Sequence, residues 1–284
     1  MNKRKIRFTL GKFFIRLGKF IESWAVAVMK PDDLVEFSKQ SYQASYIPAY
    51  WNRPTIVDKG LEISESALFE NLPLREGRLL VLGVGSGREA IVFAKKGFQV
   101  TGLDFVSEMV TSAKKNASER GIEIDGLVQE ISELSIPQDS FDVIWISFAM
   151  YSSIPGKKRR IRALEKIKSA LRPGGYFICQ FSILKSSGFF LRAKESIRKL
   201  ISWITWGNLD YEEGDSIWHG SEFLHHFSSK EVVQSEFQKA GFEGMFFCQV
   251  PGELSSGAVL RKPENSETIV AGKEENKNEI PFGF

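Results

Sequence analysis

The stretch 78-RLLVLGVGSGREAIVFAKKGFQVTGLD-104 decides how this chain folds. Its apolar run, Leu79 to Leu82, is unbroken and short, as in a strand buried on both faces. Gly83, Gly85 and Gly87 make a turn, a helix is predicted over 88–96, and a second strand over 98–103 ends in Asp104. Such a strand–glycine turn–helix–strand–acid unit lets backbone approach a ligand that side chains would block. The helix start offers it unpaired N–H groups, and the terminal carboxylate can accept from both hydroxyls of a ribose. The pyrophosphate fingerprint asks for glycine at the sixth position of the turn, where this chain has Arg88.

Outward from this unit, strands are predicted over 124–129 and 141–147 within GLVQEISELSIPQDSFDVIWIS, and a fifth within LRPGGYFICQF. Helices are predicted over 61–72, 107–120 with Ser107 as N-cap, 157–171 and 229–240. Two antiparallel strands close the series over 246–250 and 258–260. The glycine spacing, Asp104, the Ser140-Phe141-Asp142 strand start and Leu171-Arg172-Pro173-Gly174-Gly175 together resemble the class I S-adenosylmethionine-dependent methyltransferases. The resemblance covers roughly 60–181 and 227–262. It implies an α/β fold with a doubly wound, mostly parallel seven-stranded sheet and an antiparallel last strand. An N-terminal helical cap and an inserted lid between the fifth strand and the last helix complete the expected architecture.

The resemblance also implies S-adenosylmethionine as cofactor. It assigns Gly83, Val84, Gly85 and Gly87 to the cofactor turn, Asp104 and Phe105 to the ribose end, and Glu130 and Ile131 to the adenine. Ser147 and Phe148 would flank the cofactor, with Tyr151 pointing toward the acceptor. The family often carries an acid two residues before the first glycine, and here Val81 stands there.

Length allows one core with an appendage. The expected divisions are a basic amphipathic helix with an aromatic segment over 1–59, a methyltransferase domain over 60–262 with its insert at 182–226, and a disordered Glu/Lys/Asn-rich tail over 263–284. Net charge is +3, but residues 1–30 hold eight basic residues against Glu22, or +7. In that segment Leu10, Phe13, Phe14, Leu17, Phe20, Ile21 and Trp24 recur at three- and four-residue steps, with Lys12, Arg16 and Lys19 on another face. Two readings stand: a helix packed on the domain or over its active site, or one lying on an anionic membrane surface. Neither a membrane span nor a secretory signal is predicted. Tyr42, Tyr46, Tyr50 and Trp51 lie in a segment that folds over the cofactor in methyltransferases of this kind.

The cluster Lys157-Lys158-Arg159-Arg160 with Arg162 reads as a solvated face or a contact for a phosphate-bearing acceptor, lipid headgroup or nucleic acid; without interleaved aromatics, no nucleic-acid partner is expected. The stretch 189–206 is again basic and amphipathic. His219, His225 and His226, the chain's three histidines, all fall in the insert and are acid/base candidates together with Tyr151. Cys179 and Cys248 read as free thiols of a reducing cytoplasm, and no metal-ligand spacing is present. The expected activity is methyl transfer to a small-molecule or lipid-like acceptor. The alternatives are a nicotinamide oxidoreductase and a non-catalytic membrane-associated scaffold of the same fold.

Overall fold

The computed structural model describes residues 3–22, 24–44, 46–183, 189–250 and 255–264. Its strands are β1 (Gly77–Leu82), β2 (Phe98–Asp104), β3 (Asp125–Val128), β4 (Phe141–Ile146), β5 (Leu171–Ile183), β6 (Asp215–Trp218), β7 (Glu222–Phe227), β8 (Glu243–Gln249) and β9 (Ser255–Arg261). β3, β2, β1, β4 and β5 lie side by side, all parallel. β9 runs antiparallel between β5 and β8. The order reverses at β1, with β2 on one side and β4 on the other, so a crevice opens at the carboxyl ends of these strands.

Strict alternation sets the two cores. Leu80, Leu82, Ile144, Ile146, Phe177 and Cys179 face one way, under the helices Lys157–Ala170 and Lys230–Lys239. Leu79, Val81, Val143, Trp145, Ile178 and Val259 face the other, under Ile63–Glu70, Arg88–Lys95 and Ser107–Ser118. Both faces are covered, which is why the strand sequences are continuous apolar runs. Val81 is thereby core, fully shielded from solvent.

The sheet has nine strands rather than seven, because the insert adds the hairpin β6–β7. Ser182 pairs with Ser255 on one flank and His226 on the other, so β7 extends the sheet beyond the end of β4. A third, small core of Val26, Leu34, Tyr211 and Phe223 joins this hairpin to the short helix Ala25–Val28 and the helix Pro31–Gln43. N-terminal cap and insert thus form one layer over the carboxyl edge.

Three local expectations change. Val106, not Ser107, is the N-cap of its helix, and its N–H donates to the Asp104 carboxylate at 3.0 Å. Ser229 stands at the N-cap of the last helix without a side-chain capping bond. The basic cluster divides: Lys158 and Arg162 are solvated as expected, but Arg159 and Arg160 turn inward onto carboxylates. Arg160 is fully buried, forked on Glu236 at 2.8 and 3.0 Å and reaching Glu212 at 2.9 Å, while Arg159 meets Asp32, Ser132 and Glu130. Helix Lys3–Glu22 forms as expected, but Phe8, Leu10, Phe13, Phe14, Ile15, Leu17 and Ile21 are exposed rather than packed on the domain. From position 265 onward the expected disordered tail lies outside the described residues.

Candidate active site

The glycine turn leaves β1 so that Gly83 and Val84 both donate to Leu103 O at 2.8 Å, tying the turn to the end of β2. Gly85 has φ +51, and a Cβ there would meet nothing within 4 Å, because the residue faces open space. Gly87 does different work. A Cβ there would lie 3.1 Å from Ala113 Cα, so this glycine lets the helices Arg88–Lys95 and Ser107–Ser118 close on each other. Arg88 explains itself below the turn: it forks on Glu65 at 2.7 Å twice, donates to Gly60 O at 2.6 Å and meets Glu89. Burial would lower its pKa, but Glu89 and Glu65 raise it. Burial pushes the Glu89 carboxyl up, against the pull of Arg88.

Beside the turn lies a cavity of about 370 Å³. Gly83, Val84, Gly85, Asp104, Phe105, Glu130, Ile131, Ser147 and Phe148 all line it; of the expected cofactor residues only Gly87 does not. The buried Asp104 carboxylate accepts from the Gly85 and Val106 N–H groups at 3.0 Å each. Burial raises its pKa to about 6, even though these backbone donors pull it down. The Glu130 carboxylate accepts from Ser132 N–H at 3.0 Å and so caps the turn Ile131–Glu133. Phe148 and Ala149 are non-glycine residues at φ +46 and +57, a strained conformation that recurs at functional sites. Phe148 N–H is held by Gln180 Oε1 at 2.9 Å, and its half-exposed ring lies between Trp51 (6.4 Å) and Trp218 (6.2 Å).

The roof comes from the cap layer. Tyr42, Tyr50 and Trp51 line the cavity from the N-terminal segment, and Trp218, Glu222 and Leu224 from the hairpin. Tyr42 donates to Glu222 at 3.0 Å across 180 residues of sequence. Burial raises the Glu222 pKa, opposed by its bond from Tyr42 and by the nearby His219. Burial and the Glu222 charge hold the Tyr42 hydroxyl well above its ordinary range. This pair is what sequence reasoning missed. Tyr42 lies in the aromatic segment of residues 42–51, but nothing in the sequence ties it to Glu222.

The four catalytic candidates do not assemble. Tyr151 is fully buried, stacked on Phe227 at 5.8 Å, and its hydroxyl donates to Glu236 at 2.7 Å, away from the cavity. His225 is buried with Nδ1 2.8 Å from Asp215 Oδ1. His226 has Nδ1 2.7 Å from Ser182 Oγ, and burial lowers its pKa. Neighbours on a strand point to opposite faces, so His225 and His226 share no site. His219, at φ +50 in the hairpin turn, is exposed against Trp218 and is the one histidine beside Glu222. Among the described residues no group of three or more His, Cys, Asp or Glu could hold a metal ion, and Cys179 is a buried free thiol.

The walls fit the expected cofactor on this structure's own terms. Gly85 offers open space where any Cβ would intrude, and Ser86 Oγ is a buried hydroxyl on the cavity wall with no protein partner.

Residues 79–175 match a family model described as a methyltransferase domain. An S-adenosyl-L-methionine-dependent Diels-Alderase from Talaromyces variabilis is 31% identical over 137 residues, 46% of this chain and 45% of that protein. A ubiquinone biosynthesis O-methyltransferase from Xanthomonas euvesicatoria pv. vesicatoria is 34% identical over 105 residues, 37% of this chain and 42% of that protein. The chain thus spans somewhat less than half the length of these curated relatives. The Burkholderia thailandensis 1,6-didemethyltoxoflavin-N1-methyltransferase, solved with 1,6-didemethyltoxoflavin and S-adenosylhomocysteine bound, shares the fold. Its TM-score is 0.58 at 18% identity, over 82% of this chain and 91% of that one. Neither the nicotinamide oxidoreductase nor the scaffold alternative finds support among these proteins.

Proposed function

We propose that this chain, whose residues 79–175 belong to the methyltransferase domain family, is an enzyme that moves a methyl group from S-adenosylmethionine to a small-molecule or lipid-like acceptor. The observation that carries this reading is the cavity itself. One wall is the glycine turn with Asp104, and another is an aromatic cap layer with its own carboxylate, Glu222. The first wall suits a nucleoside with an amino-acid tail, and the second suits an acceptor.

The cofactor supplies an activated methyl on a sulfonium; the remaining tasks fall to the chain. Asp104 would accept from the ribose hydroxyls and Glu130 from the adenine amino group, while Ser86 and the Gly85 edge would meet the carboxylate of the tail. With Val81 in the core, Glu89 is the wall carboxylate on the turn side that can meet its ammonium. Trp51, Phe148 and Trp218 would hold the acceptor against apolar surface and exclude water, which strengthens every charge interaction inside. Glu222 would take the proton released by a hydroxyl or ammonium acceptor, with Tyr42 orienting its carboxylate. No helix among the described residues is long and apolar enough to cross a membrane. We place the protein in the cytoplasm, a reading supported by the free thiol of Cys179.

Incubation with methyl-labelled S-adenosylmethionine and an extract of the source cells tests the proposal. A labelled product, formed with one equivalent of S-adenosylhomocysteine, is expected. Calorimetric binding of S-adenosylhomocysteine without any labelled product would remove the transferase reading while keeping the cofactor site. Failure to bind it would remove both.

A further inference from the structure

The two amphipathic helices end at one place. Helix Lys3–Glu22 leads through Trp24, in edge contact with Phe20 at 5.2 Å, into the short helix Ala25–Val28. That short helix is pinned just past the end of the helix Phe189–Ile204. Asn208 donates from its backbone to Ala27 O and from its side chain to Val26 O, each at 2.9 Å. The hairpin turn meets the same junction, since a Cβ on Gly220 would lie 3.6 Å from Glu22 Oε1. Trp218 and Glu222, on either side of that turn, line the cavity.

Over its described side chains, helix Phe189–Ile204 is turned inside out. Arg198 and Ser202 face the protein at 9% and 2% exposure, while Trp203 stands 72% exposed with Ile197, Leu200 and Ile204 beside it. Just beyond the helix, Trp206 is 83% exposed. Water penalises an exposed apolar face, so this arrangement calls for something beyond the described residues to cover it. Helix Lys3–Glu22 makes the same demand, with Phe13, Phe14, Leu17 and Ile21 in solvent and Lys5, Lys12 and Arg16 exposed on the same helix.

Charge chooses the cover. A second copy would set two +7 segments against each other at a desolvated seam. An anionic lipid surface instead takes the apolar rings into its acyl boundary, seats tryptophan at the headgroups and pairs lysine and arginine with phosphate. We propose that helices Lys3–Glu22 and Phe189–Ile204 form one docking surface for anionic lipid, which brings the Trp218–Glu222 edge of the cavity to the membrane face. This surface does not depend on methyl transfer.

Flotation of the full chain without cofactor tests it, using phosphatidylcholine vesicles with or without phosphatidylglycerol. The protein should float with the anionic vesicles at low salt, be released at high salt, and stay behind with pure phosphatidylcholine. Phe13→Glu with Phe14→Glu, and separately Leu200→Glu with Trp203→Glu, should each lower vesicle partitioning by roughly tenfold or more. All four positions are exposed, so circular dichroism and thermal melting should match the parent. Protein left in solution with anionic vesicles at low salt overturns the proposal, as does equal flotation with neutral ones. An effect of one variant pair but not the other overturns the single shared surface. A doubled mass by light scattering without flotation would assign the apolar faces to a second copy instead.

Discussion

Asp104 and Glu222 are two carboxylates on one cavity, and they reach it by different routes. Asp104 sits at the tip of β2, and the backbone N–H it holds on Gly85 is 19 residues away in sequence. A single strand–turn–helix–strand unit builds that wall, with core packing on both sides of it. Glu222 opens β7 in the insert, and its partner Tyr42 lies 180 residues earlier on a cap helix. A small core of Val26, Leu34, Tyr211 and Phe223 holds that wall together. The contrast teaches that the wall proposed for the cofactor is a local device, while the wall proposed for the acceptor depends on two distant segments docking correctly. On that proposal, acceptor chemistry should be alterable without disturbing the cofactor, and the reverse should be harder.

The most demanding test of this contrast is Glu222→Gln. If Glu222 is the proton acceptor, the labelled-methyl assay should lose about 10²–10⁴-fold in turnover at neutral pH. S-adenosylhomocysteine affinity should stay within about twofold, a change below ~0.5 kcal/mol. Equal losses in both would mean that the two walls are not separable. Next in size, Arg160→Met removes the buried cation shared by Glu236 and Glu212 and should destabilise the fold by about 3–5 kcal/mol in denaturant titration. A cost near zero would show that this network does not anchor the insert. Asp104→Ala should weaken S-adenosylhomocysteine by about 1.5–3 kcal/mol in calorimetry, the scale of charge-assisted hydrogen bonds. An unaltered affinity would take the ribose away from this residue.

The smallest effect is a pH dependence. Because the Asp104 pKa is raised to about 6 by burial, the ligand-free fold is favoured by the protonated form. That contribution is full below the unfolded carboxyl's ordinary pKa of about 4 and is lost as pH rises through about 6. Ribose hydroxyls donate to the ionised carboxylate, so ligand affinity should have the opposite sign. Affinity should be flat above about pH 6 and fall toward tenfold per unit below it. In Asp104→Ala that slope should vanish, and its persistence would assign the titration to another group.

How much of this was legible follows the same division. β1, the turn and β2 could be read because apolar runs, glycine spacing and a terminal acid are all local signals. Gly83, Val84, Gly85 and Asp104 line the cavity on those signals, while Phe105, Glu130, Ile131, Ser147 and Phe148 were implied by the family resemblance and line it too. Gly87 does not line the cavity: a helix-packing glycine and a ligand-facing glycine look alike in sequence, and the approach of Ala113 marks this one as packing. The histidines misled through proximity. His225 and His226 are adjacent in the chain, yet the strand sends them to different partners, Asp215 and Ser182.

By itself the sequence determined the strand–turn–helix–strand unit and the carboxylate at the tip of β2, and the motifs of that unit carry the resemblance that implied the doubly wound sheet. Each depends on residue spacings within a few tens of positions, where backbone geometry allows few alternatives. Tertiary structure alone decided that Glu222 meets Tyr42, that Arg160 is buried on Glu236, and that residues 197–204 of helix Phe189–Ile204 turn Ile197, Leu200, Trp203 and Ile204 outward. Those outcomes turn on which distant segments dock and which face of each is covered. Neither periodicity nor charge pattern encodes that choice, because the same amphipathic helix satisfies either orientation until a neighbour takes one side.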